Sequence, residues 1–202
     1  MPLFINHRIN NLVDLKKIKI DEGIEADVRD FKNDIILSHD PYKNSEKFNK
    51  FIKYFDNKFI ILNIKSYGII KDILKLIKRK KNFFFLDLHF SEIDYLIKKN
   101  LDEKIILRFS IYEKFDLRKK YFRKIKWIWY DFFKNKYLTK KEIIYFKKHK
   151  KKICIVSPEL LNKGKKNIIK YIDYLNKNDI KVDAVCCKNK SIILWKKLYK
   201  FK

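Results

Sequence analysis

The chain has 202 residues, of which 47% are hydrophobic and 16% aromatic, so it can build a core without metal or disulfide staples. Three glycines and three prolines exclude long flexible linkers. The formal charge of +26 does not by itself indicate a nucleic-acid partner, because 44 of the 50 basic residues are lysines and arginine, the better reader of phosphates and bases, is scarce.

Short apolar segments that predict β-strands recur along the whole chain. Eight of them stand out, at residues 3–8, 23–30, 59–66, 83–90, 104–110, 126–132, 152–158 and 182–188. Between them lie lysine-rich segments whose apolar residues are three and four apart, as in amphipathic helices. These are residues 10–18, 45–55, 68–80, 91–100, 113–122, 139–151, 165–178 and 191–201, of which the first and the fifth are short.

Strands that alternate with helices eight times predict a compact α/β fold, a (β/α)8 barrel of the TIM type, as one domain over residues 1–202. A doubly wound open sheet is the alternative. Nothing in the sequence favours that alternative, because no glycine-rich phosphate loop or dinucleotide fingerprint is present.

The three cysteines, Cys154, Cys186 and Cys187, are odd in number and lack the spacing of a metal site. We predict that they pack as thiols in a reducing compartment. The sequence shows no signal peptide, and its apolar runs are too short to span a bilayer. We therefore expect a cytoplasmic protein, whose lysines could rest loosely on an anionic membrane surface.

Polar residues occupy alternate positions late in several predicted strands. In the second strand, Ile24, Ala26 and Val28 suit the helix-facing side, which sends Glu25 and Asp27 inward together with Arg29. The same alternation turns other polar side chains inward in the third, fourth and fifth strands: Asn63, Lys65, Asp87, His89, Arg108 and Ser110. These residues gather at the carboxyl-terminal mouth, where barrel enzymes do their chemistry.

Two carboxylates buried side by side are costly unless positive charge compensates them. A hard divalent cation, Mg²⁺ or Ca²⁺, would suit the oxygens of Glu25 and Asp27. His7 at the end of the first strand and His39 beyond the second could act as general acid and base. With Arg8, Lys65 and Arg108 as candidates to neutralise a phosphate, the residues suggest cleavage of a small phosphodiester.

These residues resemble the motifs of the glycerophosphodiester phosphodiesterase family, which is related to the phosphatidylinositol-specific phospholipases C. The chain carries His7-Arg8, then "GIEADV" at 23–28 and "SHDP" at 38–41, in the family's order and spacing. The match is specific over residues 3–42 and suggestive around 59–68 and around "VDAVCCK" at 182–188. The chain would be a short, divergent member of the family.

The resemblance implies the barrel fold and a metal-dependent phosphodiesterase or phosphodiester lyase acting on a glycerophosphodiester-like or lipid-derived substrate. His7 and His39 would be the acid/base pair, Glu25 and Asp27 the metal ligands, and Arg8 a phosphate contact. Attack by a neighbouring substrate hydroxyl would give a cyclic phosphate, with or without later hydrolysis.

The third strand departs from the family pattern of an acid followed two residues later by a lysine. One alignment places Asn63 at the acid and Lys65 at the lysine, so that Asn63 is the third metal ligand. The other places Lys65 at the ligand position, where it would repel a metal. We prefer the first alignment, in which Asp87 could supply the missing charge; Asp87 and His89 are further site candidates.

Two other functions remain open. The departure at the third strand would suit a catalytically degenerate barrel that binds a phosphorylated ligand or a partner. The lysine coat would suit a binder of nucleic acid or of an anionic surface, with strong salt dependence, but it leaves the polar strand ends unexplained.

Overall fold

The computed structural model describes residues 1–78 and 80–200, and within them the chain has the α/β fold of a (β/α)8 TIM-type barrel. All eight predicted strands are confirmed, and one further strand, β3, was not predicted. The strands are β1 (Leu3–Asn6), β2 (Gly23–Phe31), β3 (Asp34–Leu37), β4 (Ile60–Ile64), β5 (Phe83–Leu86), β6 (Ile106–Phe109), β7 (Trp127–Tyr130), β8 (Lys152–Val156) and β9 (Ala184–Cys187).

The predicted helices are present with one exception. They are α1 (Leu12–Leu15), α2 (Phe48–Lys53), α3 (Ile70–Leu76), α4 (Phe90–Lys98), α5 (Lys140–Lys148), α6 (Lys165–Lys177) and α7 (Asn189–Leu198). The segment predicted as a helix at 113–122 forms only one 3-10 turn, Lys120–Phe122, so that prediction was wrong. Phe201, at the end of the last predicted helix, lies outside the described residues.

The strand order is β5-β4-β2-β1-β9-β8-β7-β6, with β3 antiparallel beside β2. A parallel bridge between Phe85 and Ile105, the residue before β6, continues this order. This is the order of a (β/α)8 barrel, and it excludes the doubly wound sheet.

The chain divides into two compact units: the first is Asn6–Ile105, and the second is Met1–Ile5 with Ile106–Lys202. The second unit has an apolar interior in which Trp195 and Tyr171 are fully buried. The three cysteines are buried there, as the sequence predicted. In the described part of the chain, no helix is both long enough and apolar enough to cross a membrane.

The first unit is built on β2, β4 and β5, which run parallel with Asp27 paired to Asn63 and Asn63 to Leu86. The predicted alternation of β2 is confirmed in its apolar half, because Ile24, Ala26 and Val28 are completely buried. Glu25 and Asp27 are also buried, on the opposite face.

Strand β3 escaped prediction because its hairpin turn carries no glycine. Lys32 takes the left-handed conformation, with φ of 55°, which is more often a glycine position. β3 then pairs with β2 from Val28–Leu37 to Phe31–Asp34. Ser38 follows it and donates its backbone N–H to the carbonyl of Asp27 at 3.1 Å. The hairpin thereby brings Ser38, the residue before His39, back beside Asp27.

Gly23 begins β2 in a place where no side chain fits. A Cβ atom there would lie 2.7 Å from two ring carbons of Phe59, a residue that is 7% exposed. The ring is packed, so it cannot move aside cheaply. The start of the strand that carries Glu25 and Asp27 therefore depends on a close approach of backbone to ring.

We expect Gly23→Ala to lower the free energy of unfolding by about 1–3 kcal/mol, because the added methyl group overpacks this contact. Urea denaturation measures the effect. In a Phe59→Leu background the same substitution should cost clearly less. An equal cost in both backgrounds would show that the Phe59 ring is not what excludes the methyl group.

Candidate active site

The centre of the candidate site is the carboxylate pair of β2. Glu25 is 0% and Asp27 1% exposed, so both need partners within the protein. Asn63, on the neighbouring strand β4, donates its side-chain N–H to Oε1 of Glu25 at 2.8 Å. The structure thus brings together Glu25, Asp27 and Asn63, the three predicted metal ligands.

The end of β1 supplies partners for Glu25 from the main chain. Arg8 takes the left-handed conformation, with φ of 55°, and its backbone N–H donates to Oε2 of Glu25 at 2.8 Å. Ile9 donates its backbone N–H to the Glu25 carbonyl at 2.9 Å. His7 Nε2 lies 3.8 Å from Oε2 of the same carboxylate. The predicted His7-Arg8 motif therefore contacts the Glu25 carboxylate through both of its residues.

Asp27 is held by a residue that the sequence analysis missed. Asn10 donates its side-chain N–H to Oδ2 of Asp27 at 3.0 Å, and its Oδ1 accepts the backbone N–H of Asp27 at 2.8 Å. Arg8 Nε lies 3.7 Å from the same Oδ2. No motif marks Asn10, because its role comes from the path of the chain after β1.

Burial raises the pKa of Glu25 to about 7, with the negative charge of Asp27 acting in the same direction. The hydrogen bonds from Arg8 and Asn63 and the positive charge of Lys65 oppose this rise. Glu25 is therefore a carboxyl group that can change protonation near neutral pH.

Lys65 follows β4 and faces two carboxylates. Its backbone N–H donates to the Val28 carbonyl at 2.8 Å, which fixes it beside β2. Its Nζ lies 3.4 Å from Oδ1 of Asp27 and 3.4 Å from Oδ2 of Asp87. The structure thus brings the candidate Asp87 to the site through Lys65.

His39 and Asp40 form a pair on the loop that β3 leads into. Nδ1 of His39 donates to Oδ1 of Asp40 at 2.9 Å, and Lys43 Nζ lies 2.6 Å from the other oxygen. These two hydrogen bonds lower the pKa of Asp40 to about 2, and the bond from His39 has the larger effect. The carboxylate orients the ring, and the His39 side chain is 44% exposed.

Two predicted residues have other contacts. The predicted fourth strand ends at Leu86 rather than at 90, so His89 is not an inward strand residue; it is the N-cap of α4, where its ring accepts the Ser91 backbone N–H. Arg108 lies in the second unit and pairs with Asp131, and its Nε lies 3.7 Å from Glu113.

The Lys65 ammonium group competes with a hard divalent cation at this donor set. Among residues 1–78 and 80–200, no group of three or more His, Cys, Asp or Glu side chains could hold a metal ion. Oxygens without a hydrogen bond exist on Asn63 and Asp27, but the Asp27 oxygen is the one that faces the Lys65 ammonium. The divalent cation stays a prediction from the sequence.

Comparisons with known proteins support the fold. No protein-family model matches the chain, and no curated protein matches it. A solved structure from Galdieria sulphuraria, described as a "putative glycerophosphodiester phosphodiesterase", is similar with a TM-score of 0.66 over 98% of each chain, at 17% sequence identity. At this identity the likeness shows that the chain shares the barrel fold of that protein.

Proposed function

We propose that the chain is a phosphodiesterase that cleaves a small glycerophosphodiester-like substrate by histidine acid/base catalysis. The observation that carries the proposal is a pair of histidines that each stand beside a carboxylate: His7 beside Glu25, and His39 beside Asp40. The barrel neighbour from Galdieria sulphuraria supports this class of reaction through its description. The resemblance of residues 3–42 to the glycerophosphodiester phosphodiesterase family supports it independently.

The proposed chemistry involves two proton transfers, one from the attacking hydroxyl group and one to the leaving oxygen. One histidine accepts the proton of the attacking hydroxyl group, and the other donates a proton to the oxygen of the leaving alcohol. His7 precedes Arg8, whose backbone N–H binds Glu25, and His39 follows Ser38, whose backbone N–H binds the Asp27 carbonyl. A neighbouring hydroxyl of the substrate as nucleophile gives a cyclic phosphate, whereas water gives a phosphomonoester.

Positive charge for the phosphoryl oxygens comes from Arg8 and Lys65. Asp27 lies between them, with Arg8 Nε 3.7 Å from Oδ2 and Lys65 Nζ 3.4 Å from Oδ1. A carboxylate that orients two cations in advance lowers the cost of reorganising them during the reaction. Asp27 is therefore a positioning residue in this proposal.

A non-catalytic phosphate-binding barrel is the second candidate, favoured by the presence of Asn63 where a metal-binding acid was expected. It predicts the binding of phosphorylated compounds without turnover. Phosphorus NMR of the protein incubated with glycerophosphocholine, glycerophosphoethanolamine and glycerophosphoinositol separates the two functions and also identifies a cyclic product.

We expect His7→Gln and His39→Gln each to reduce diester cleavage by about 10²–10⁴-fold, because each removes one proton-transfer group. Initial rates from the same NMR assay provide the measurement. His149→Gln, on the C-cap of α5, is the matched control and should retain full activity. If both site variants cleave the diester at the wild-type rate, histidine catalysis at this site is ruled out.

The raised pKa of Glu25 predicts a pH-dependent stability. The unfolded side chain loses its proton near the ordinary 4.5, whereas the folded one keeps it up to about 7. The folded state therefore binds the extra proton in this window, and the free energy of unfolding should fall as the pH rises from about 5 to about 7, by about 2–3 kcal/mol.

Urea denaturation at pH 5, 6 and 7 checks this expectation. Glu25→Gln should flatten the dependence, and Glu103→Gln, which changes an exposed glutamate, should leave it as in the wild type. A wild-type slope that persists in Glu25→Gln would mean that another group titrates.

A further inference from the structure

The carboxylate oxygens at the centre of the site already face donors from the chain. Oε1 of Glu25 accepts from Asn63 at 2.8 Å, and Oε2 accepts from the Arg8 backbone at 2.8 Å. Oδ2 of Asp27 accepts from Asn10 at 3.0 Å, and Oδ1 faces Lys65 Nζ at 3.4 Å. A metal ion at these oxygens would share them with these donors, and at Oδ1 of Asp27 it would compete directly with the Lys65 ammonium group.

Lys65 holds its positive charge beside Asp27, one of the predicted metal ligands. Its backbone is fixed to the Val28 carbonyl, and its ammonium lies between the carboxylates of Asp27 and Asp87, 3.4 Å from each. Asp87 takes the left-handed conformation, with φ of 61°, directly after β5, a conformation that aspartate adopts more readily than most residues. The chain thus places a second carboxylate against Lys65 from a different strand.

The side-chain chemistry of Lys65 suits a phosphate contact. An ammonium group has three N–H donors and no acceptor, so two carboxylate neighbours leave one donor for a third oxygen. The side chain is 19% exposed, which leaves its charge accessible to a ligand from solvent. Lysine binds phosphate as a point charge, as a metal ion does, rather than through a planar fork.

We propose that Lys65 is a built-in cation that replaces the divalent metal, so that this site binds the phosphate of its substrate without any metal ion. The inference deepens the proposed function and rests on it for the identity of the ligand. Asp27 and Asp87 position the ammonium group.

Titration calorimetry with inorganic phosphate as the probe tests the proposal, on protein stripped with EDTA and on protein in millimolar Mg²⁺ or Ca²⁺. The wild type should bind phosphate with affinities that agree within about twofold in the two conditions. Lys65→Gln should weaken phosphate binding at least tenfold. Lys65→Arg keeps the positive charge and should weaken phosphate binding less. Circular dichroism and the melting temperature establish that each variant is folded.

Lys65→Glu gives the most specific test, because it places a third carboxylate beside Glu25 and Asp27 and removes the ammonium group. This variant should gain stoichiometric Ca²⁺ or Mg²⁺ binding, seen in metal titrations and as a metal-dependent rise in melting temperature. Lys58→Glu, which makes the same charge change at an exposed position, is the control and should gain no such site.

The outcomes separate this inference from the proposed function. Metal-free phosphate binding that depends on Lys65, without cleavage of any diester, supports the inference and overturns the phosphodiesterase proposal. Diester cleavage that requires added metal supports the phosphodiesterase proposal and overturns the inference. The inference is overturned if the wild type binds phosphate only with a metal, or does not bind it at millimolar phosphate. It is also overturned if the wild type binds a metal ion and the Glu25→Ala/Asp27→Ala variant does not.

Discussion

The burial of two carboxylates on adjacent inward positions of β2 is the constraint around which the first unit is organised. Glu25 and Asp27 are almost completely removed from water, and an uncompensated buried charge costs several kcal/mol. Their partners come from the turn after β1, from β4 and from the residue that follows β4. Each carboxylate is therefore stabilised only when these separate segments have assembled, so the electrostatics of the site and the folding of the unit are linked.

This arrangement also positions the two cations that the proposed function assigns to the phosphate. Arg8 and Lys65 are drawn to opposite oxygens of Asp27, so their positions are set by a buried group rather than by solvent. A tethered ammonium carries one charge where a divalent ion carries two, and it cannot be lost to a chelator. In the proposed site, Arg8 supplies the second positive charge.

The alternation of apolar and polar residues was sufficient to predict the barrel strands and the inward placement of Glu25, Asp27 and Asn63. It failed where the backbone departs from regular structure. Asn10 binds Asp27 because of a turn that no periodicity describes, and β3 follows a left-handed Lys32 where a glycine would have signalled a hairpin. His89 was read as a strand residue because an apolar run continues past Leu86, although its ring instead caps α4. Arg108 lies on β6 as predicted, but its contacts are with Asp131 and Glu113, which strand alternation does not identify.

At Arg8, the left-handed turn assigns the hydrogen bond to Glu25 and the positive charge near Asp27 to different parts of the same residue. The hydrogen bond to Glu25 comes from the main chain of residue 8, whereas the charge near Asp27 comes from its side chain. The identity of the side chain can therefore vary without loss of the backbone donor that Glu25 needs, provided that the new residue tolerates the left-handed conformation. Asparagine and glycine are the residues that tolerate it best, and both are uncharged. Residue 8 is thus a position at which a lineage could alter the charge offered to its ligand while the buried carboxylates stay in place.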